Sequence, residues 1–346
     1  MKALFLRKND DNGAQPRAPY RIEIAGDVPK PVPREGEALV RVRAAALNRR
    51  DEWIRRGEYA RIQPDCILGS DACGVVEAVG AEQDEEWLGK EVVINPSLDW
   101  GENPRVQGKS YHILGMPTNG VFAEYCVVPT NRLYDKPAHL SAVHAAALPL
   151  AGLTAYRAAR THGEIAQGQN VLITGIGGGV ALFAAQFAVA LGARVFCTSG
   201  SEEKIRRAKE TVGVAGGALY TADDWSAQLA REAGEFDCII DGAVGDEANA
   251  LLGLLKMGGR YVFYGATRGR PAALNAQMIF WKQLRLQGST MGNDAEFADM
   301  LCFVSDNRLQ PVVDSVRPFE RITEAFDDLA RHAQFGKTVV IFDENL

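Results

Sequence analysis

Residues 171–183, VLITGIGGGVALF, read as a strand that runs without a break into a glycine-rich turn and then into an apolar helix. Phosphate binding needs this layout. Glycines let the backbone approach a pyrophosphate, and the unpaired N–H groups of the first helical turn donate to it. Gly175 and Gly177 supply the first two glycines of a GxGxxG pattern, but Val180 occupies the third position. Such a turn is weak evidence alone. It gains weight as the first turn of a long alternation of strands and helices.

That alternation extends toward the C-terminus. After residue 183 come the strand RVFCT, the amphipathic helix SEEKIRRAKETVG, the short strand ALYT and the helix DDWSAQLAREAG. FDCIID, DEANALLGLLKMGG, RYVFYG, a helix near NAQMIFWKQ and the strand LRLQGST complete it. Apolar strands joined by helical crossovers predict a parallel sheet covered on both faces, the doubly wound α/β arrangement. Before it, Ser141 is placed to cap a helix that Pro149 interrupts, and LTAYRAARTH reads as a second helix. Residues 1 to about 136 are strands and loops, with ALVRVRAAAL, CGVVEAVG, KEVVINP and VFAEYCVVP as the clearest strands. The long polar segment 95–119 needs either a function or a fold of its own. Residues 293–346 return to mixed character and end in the strand KTVVIF. The division predicted is therefore 1–136 with 293–346 as one domain and 137–292 as the other.

Composition bounds the rest. At 346 residues, 47% hydrophobic and 24% charged, the chain has the profile of a globular protein with room for two domains. A formal charge of −6 argues against a nucleic-acid surface. The apolar run in MKALFLRKNDDNG is too short for a signal peptide, and no uncharged stretch reaches bilayer length, so a cytoplasmic location without membrane partners is expected. Six scattered cysteines, with no CxxC pair, read as small buried hydrophobes rather than a disulfide or zinc framework.

Cofactor choice is read at the tip of the next strand, in ARVFCTSGSEEK. An NAD site often places an acid there for the ribose 2′-hydroxyl. Here the tip is Thr198, Ser199, Gly200 and Ser201, and Lys204 stands one helical turn on. The missing acid and the available cation favour NADPH over NADH.

With these segments in hand, the chain resembles the zinc-free quinone-reductase group of the medium-chain dehydrogenase/reductases. AALNRRDEWIRRG resembles the group's substrate-side segment, ILGSDACGVVEAVG its glycine-rich strand turn and AALPLAGLTAY its domain-joining helices. LITGIGGGVA resembles its cofactor loop and FGKTVV its closing strand. The resemblance implies a Rossmann doubly wound parallel sheet plus a mostly-β, GroES-like catalytic domain. It implies phosphate contacts at Gly178, Gly179 and Val180, and 2′-phosphate contacts at Gly200, Lys204 and Tyr220. Thr154 matches a position near the nicotinamide. Lys337 matches the lysine of the closing GK pair, either near the cofactor phosphates or in a structural ion pair. A homodimer through LRLQGST is also implied. Two departures stand out: Ala181 replaces a glycine, and Arg49 and Arg50 make the substrate-side segment unusually basic. Independently, ligands of doubly wound sheets sit beyond the carboxyl ends of the strands. The loops Asp241–Val244, with Gly242, and Tyr264–Ala266, with Gly265, should therefore border the cofactor.

The catalytic-zinc positions of the zinc-dependent relatives fall on Asn48, Ser70 and Leu150, none a competent ligand, and the acid that follows the relatives' histidine is Asp71, with no metal to support. The lobe that carries their structural zinc has no cysteine here, and packing of Trp100, Tyr111, Ile113 and Leu114 is expected to hold it. Five dispersed histidines form no ligand pair. Alcohol oxidation needs a Lewis acid or a tuned base. Reducing a conjugated carbonyl asks less: the developing enolate oxygen needs hydrogen-bond donors. Asn48 and Tyr59 are the candidate donors, Arg49 or Arg50 adds charge if either turns inward, and Trp53 lines a flat pocket or merely packs. The reading is an NADPH-dependent reductase of a small electrophile, a quinone or α,β-unsaturated carbonyl. An enoyl-thioester reductase, whose phosphorylated substrate suits a basic channel of Arg49, Arg50, Arg55 and Arg56, is one alternative. A non-catalytic NADPH-binding redox sensor is the other.

Overall fold

The computed structural model describes residues 1–9, 19–271 and 273–343; the end of the N-terminal stretch MKALFLRKNDDNG lies outside them. Two compact units result: Met1–Leu150 with Asn293–Leu346, and Ala151–Gly292.

The first unit is built on strands. β1 (Ala3–Lys8) pairs antiparallel with β2 (Tyr20–Ala25). β3 (Glu37–Ala46) is the axis of a larger sheet, and its alternating apolar residues are buried. Helix α1 (Arg49–Arg55) follows it directly. Then come β4 (Asp71–Val79), β5 (Glu91–Ile94), the short ribbon of β6 (Ser97–Leu98) and β7 (His112–Ile113), β8 (Tyr125–Pro129) and β9 (Leu133–Asp135). Helix α2 (Ala142–Ala147), capped by the Ser141 hydroxyl on the His144 N–H, closes this run. It packs on β3 and β4. The alternation of the chain assigns residues 137–150 to the other domain. Four buried alanines make α2 an apolar slab that this sheet covers, so the boundary falls at Leu150 instead of 136.

The second unit starts in α3 (Pro149–Tyr156), followed by a π-helical turn, Arg157–His162. It then alternates β10 (Asn170–Ile173), α4 (Gly179–Ala190), β11 (Arg194–Ser199), α5 (Glu202–Thr211), β12 (Gly216–Leu219), α6 (Trp225–Ala233), β13 (Phe236–Asp241), α7 (Ala248–Leu254), β14 (Leu255–Phe263), α8 (Ala276–Trp281) and β15 (Arg285–Gly288). All pairs are parallel, in the order β12-β11-β10-β13-β14-β15. The reversal between β10 and β13 is the switch point of a doubly wound sheet. Phe196, Phe236, Leu229 and Leu252 fill its core.

The chain then returns to the first unit as α9 (Asp294–Asp306), β16 (Val313–Pro318), α10 (Ile322–Ala330) and β17 (Lys337–Ile341). β17 lies antiparallel to β3, setting Lys337 beside the end of β3 where α1 begins. Leu4, Leu6, Ile54, Leu68, Phe122 and Phe326 are in this unit's core. Among the described residues no helix is long and apolar enough to cross a membrane.

Candidate active site

At the start of α1 the chain gathers buried polar groups. Asn48 stands at the N-cap, and its backbone N–H donates to the Asp51 carboxylate at 2.7 Å. Its side-chain amide donates to Asp71 at 2.9 Å, and its amide oxygen accepts from the Lys337 ammonium at 2.6 Å. Lys337 also lies 3.1 Å from Asp71, whose second oxygen accepts the Leu150 N–H at 2.8 Å. All of Asn48, Asp51, Asp71 and Lys337 are buried. Asp51 is completely enclosed, and one of its oxygens has no hydrogen-bond partner among the described residues. Burial pushes its carboxyl up to about 6, against the opposing pull of Arg50, the Asn48 N–H and Lys337.

Beside this cluster Arg50 turns inward. The residue is only 5% exposed, and its guanidinium donates to the Ser70 hydroxyl at 2.6 Å, to the carbonyls of Leu114 and Met116 at 3.0 and 3.3 Å, and to the Tyr59 hydroxyl at 3.3 Å. It also lies 4.9 Å from the Tyr59 ring centroid. No carboxylate pairs with it among the described residues. The Tyr59 oxygen accepts from Arg50, so its own proton remains to be donated, and it has no acceptor among the described residues.

The segment 114–120 reaches this place because three glycines meet there. A Cβ on Gly115 or Gly120 would fall 2.3 or 2.0 Å from the Gly69 carbonyl oxygen, and Gly69 and Gly115 both adopt positive φ. Only glycine permits that approach. The rest of the lobe is held by the β6–β7 ribbon, by an edge contact of Trp100 and Tyr111 with centroids 5.3 Å apart, and by the buried Leu114.

The other arginines of the segment are engaged outward. Arg49 donates to the Leu329 carbonyl, and burial lowers its pKa. Arg55 bridges Glu52 and Asp327, and Arg56 pairs with Glu58. Trp53 is half-buried on α1.

A zinc ion does not suit these residues. Leu150 offers no side-chain donor, the Ser70 hydroxyl is tied to Arg50 and the Leu114 carbonyl, and Asn48 and Asp71 already hold an ammonium. A cation is thus built into the protein where a metal's ligands would stand. Among the described residues no group of three or more His, Cys, Asp or Glu is arranged to hold a metal. Five cysteines are buried, with the Cys66 thiol pushed up to about 11 by burial, whereas Cys302 is exposed, against the sequence expectation.

The second unit holds a glycine turn between a strand and a helix start, the layout expected to cradle a dinucleotide. Gly175 (φ +64°) and Gly177 (φ +122°) turn the chain from β10 into α4. Thr198 pins the turn: its hydroxyl accepts the Gly175 N–H and its carbonyl the Ile176 N–H. Gly178 caps α4 without a side chain, and a Cβ on Gly175 or Gly178 would meet nothing within 4 Å. Open space faces helix-start N–H groups of Gly179 and Val180, which fits a pyrophosphate.

At the tip of β11 the buried Ser199 hydroxyl accepts the Ser201 N–H, and Ser201 caps α5, where Lys204 completes the first turn. Tyr220 lies against Gly200 so closely that a Cβ there would stand 2.7 Å from the phenol oxygen. Gly200, Lys204 and Tyr220 therefore lie at one end of the sheet. Asp241, at the end of β13, accepts from Thr174, Tyr261 and the N–H groups of Ala243 and Val244. Tyr264 covers Gly242, and Gly265 packs on the Gly242 carbonyl. Thr154 is buried, its hydroxyl 3.6 Å from the Met291 sulfur.

Lys337, expected either near phosphates or in an ion pair, makes the ion pair, with Asp71. Sequence reasoning gave Asp51, Ser70 and Asp71 no role in such a cluster. The Asn48-x-x-Asp51 spacing is the one local sign of it.

Residues 34–138 match the alcohol dehydrogenase GroES-like domain, and residues 179–306 match the zinc-binding dehydrogenase domain. The chain is 34% identical to the zinc-type alcohol dehydrogenase-like protein YogA of Leptosphaeria maculans, over 97% of this chain and 98% of that one. It is 29% identical to the acryloyl-coenzyme A reductase of Sulfurisphaera tokodaii, over 94% and 97% of the two. Among solved structures, an NAD-dependent alcohol dehydrogenase superposes with a TM-score of 0.88 at 35% identity, covering 99% of this chain and 100% of that one.

Proposed function

This chain belongs to the medium-chain dehydrogenase/reductase superfamily of oxidoreductases, and on that premise we propose that it reduces quinones or α,β-unsaturated carbonyls with NADPH and without zinc. The observation that carries the proposal is the Asn48–Asp71–Lys337 cluster, which holds an ammonium in place of a metal. A bound nicotinamide would supply a hydride to the β-carbon or the quinone ring, and charge would gather on the substrate oxygen. Tyr59 has a proton to give it, and Arg50 holds that hydroxyl with a fixed positive charge behind it. Asn48 keeps one amide hydrogen beyond the one bonded to Asp71. An acid-free strand tip at Ser199 and Gly200, with Lys204 and Tyr220 beside it, supports NADPH over NADH.

The relation to an acryloyl-coenzyme A reductase favours conjugated carbonyls and keeps the enoyl-thioester reading alive. Against it, Arg49, Arg55 and Arg56 are engaged with other groups and supply no free basic channel. Edge strand β15 and the exposed Phe280 and Trp281 of α8 support a homodimer through that edge.

The test is NADPH oxidation against a panel of simple quinones, enones and enoyl thioesters, with elemental analysis of the purified protein. Turnover of quinones or enones without stoichiometric zinc, unaffected by a chelator, is expected. Tight NADPH binding with no turnover on any acceptor would favour a sensor. One zinc per chain at Asn48 and Ser70 would overturn the metal-free assignment.

A further inference from the structure

Arg268 lies in the loop after β14. Its backbone N–H donates to the Ala243 carbonyl at 3.0 Å, anchoring it beside the end of β13. Its guanidinium carbon nevertheless sits 5.3 Å from the centroid of the Tyr220 ring, which follows β12. In the order β12-β11-β10-β13-β14-β15, β14 and β12 are four places apart, roughly 19 Å at about 4.8 Å per strand. A side chain anchored at β13 that touches Tyr220 must pass over the end of β10, where Gly175–Gly178 form the cradle.

The guanidinium keeps its donors. Its side chain makes no hydrogen bond among the described residues, and its one acidic neighbour, Glu247, stands 3.8 Å away with both groups partly exposed. Tyr220 meanwhile touches Gly200, and Lys204 lies on the helix that starts there. A planar guanidinium stacked on an aromatic ring, with its fork open, is suited to a phosphate monoester.

We propose that Arg268 reaches across the dinucleotide groove and, with Lys204 and Tyr220, binds the 2′-phosphate of the cofactor. The proposal rests on the NADPH reading and adds the residue that makes it selective. The bland alternative is a surface arginine loosely paired with Glu247.

Calorimetry of the full chain with 2′,5′-ADP and with 5′-AMP separates these. Wild type should prefer 2′,5′-ADP. Arg268→Gln should weaken 2′,5′-ADP by about tenfold or more and leave 5′-AMP within about twofold. Arg268→Lys, which keeps the charge and loses the fork, should fall between. An Arg268→Gln protein that retains the wild-type preference overturns the proposal. A wild type that binds the two nucleotides equally defeats the NADPH reading itself, and with it the proposal, before any substitution is made.

Discussion

Lys337 donates to the amide oxygen of Asn48 across 2.6 Å, joining the closing strand of the chain to the N-cap of α1. The same ammonium is 3.1 Å from Asp71, and both ends of that ion pair are buried. Breaking a buried pair by removing one partner strands the other charge in low dielectric. Lys337→Met should therefore cost about 3–5 kcal/mol in denaturant unfolding. Lys337→Met combined with Asp71→Asn should cost clearly less than the sum of the two single changes. Strict additivity would mean that the two charges do not depend on each other.

The oxygen of Tyr59 accepts from Arg50, which leaves the phenol proton as the one mobile donor of the pair. Tyr59→Phe removes that proton and little packing. It should lower kcat by about a hundredfold while leaving the cofactor KM unchanged. Stability should stay within about 1 kcal/mol of wild type. Wild-type kcat in Tyr59→Phe would show that the proton comes from elsewhere.

Much of this was legible from residues alone, and the limits are physical. The strand–glycine–helix run at 171–183 fixed the nature of the second unit because period and turn chemistry are local properties. The weakness of the zinc donors at Asn48 and Leu150 was equally local. The inward turn of Arg50 was not, because it depends on Gly69, Gly115 and Gly120 bringing two carbonyls to the guanidinium. Nor was the contact of Arg268 with Tyr220, which joins residues on opposite sides of a six-strand sheet. The boundary at 136 failed for a related reason: α2 looks like the start of a helical region, and only its packing on β3 and β4 shows which sheet it covers.

Asp51 gives a pH dependence with a definite sign. Its carboxyl is raised from an ordinary 3.8 to about 6, chiefly by burial. The folded protein therefore holds a proton there more tightly than the unfolded chain does. That contribution to stability is fully present below the unfolded value and is lost as pH rises from about 4 through about 6. A shift of about two units corresponds to about 3 kcal/mol once the group is ionised. Asp51→Asn has no such charge to bury. Its stability relative to wild type should rise by about 1–3 kcal/mol between pH 4 and pH 7, measured by urea unfolding at each pH. A difference that stays flat over that range would show that Asp51 remains ionised in the fold.

Gly178 separates folding from cofactor binding. Its backbone is extended (φ −76°, ψ 152°), a conformation open to any residue, and an added Cβ would meet nothing within 4 Å. Losing glycine at an N-cap costs some stability, and a stiffer unfolded chain offsets it, so Gly178→Ala should stay within about 1 kcal/mol of wild type. Gly175→Ala should cost more, because φ is +64° there and the left-handed region costs a side chain about 1–2 kcal/mol. The methyl group at 178 would project into the open space where the proposed site takes the pyrophosphate. NADPH affinity should fall by about tenfold or more, a loss of about 1.4 kcal/mol, in a protein that melts like wild type. If Gly178→Ala binds NADPH as tightly as wild type, the phosphates do not approach the start of α4, and the open space above Gly178 has another use.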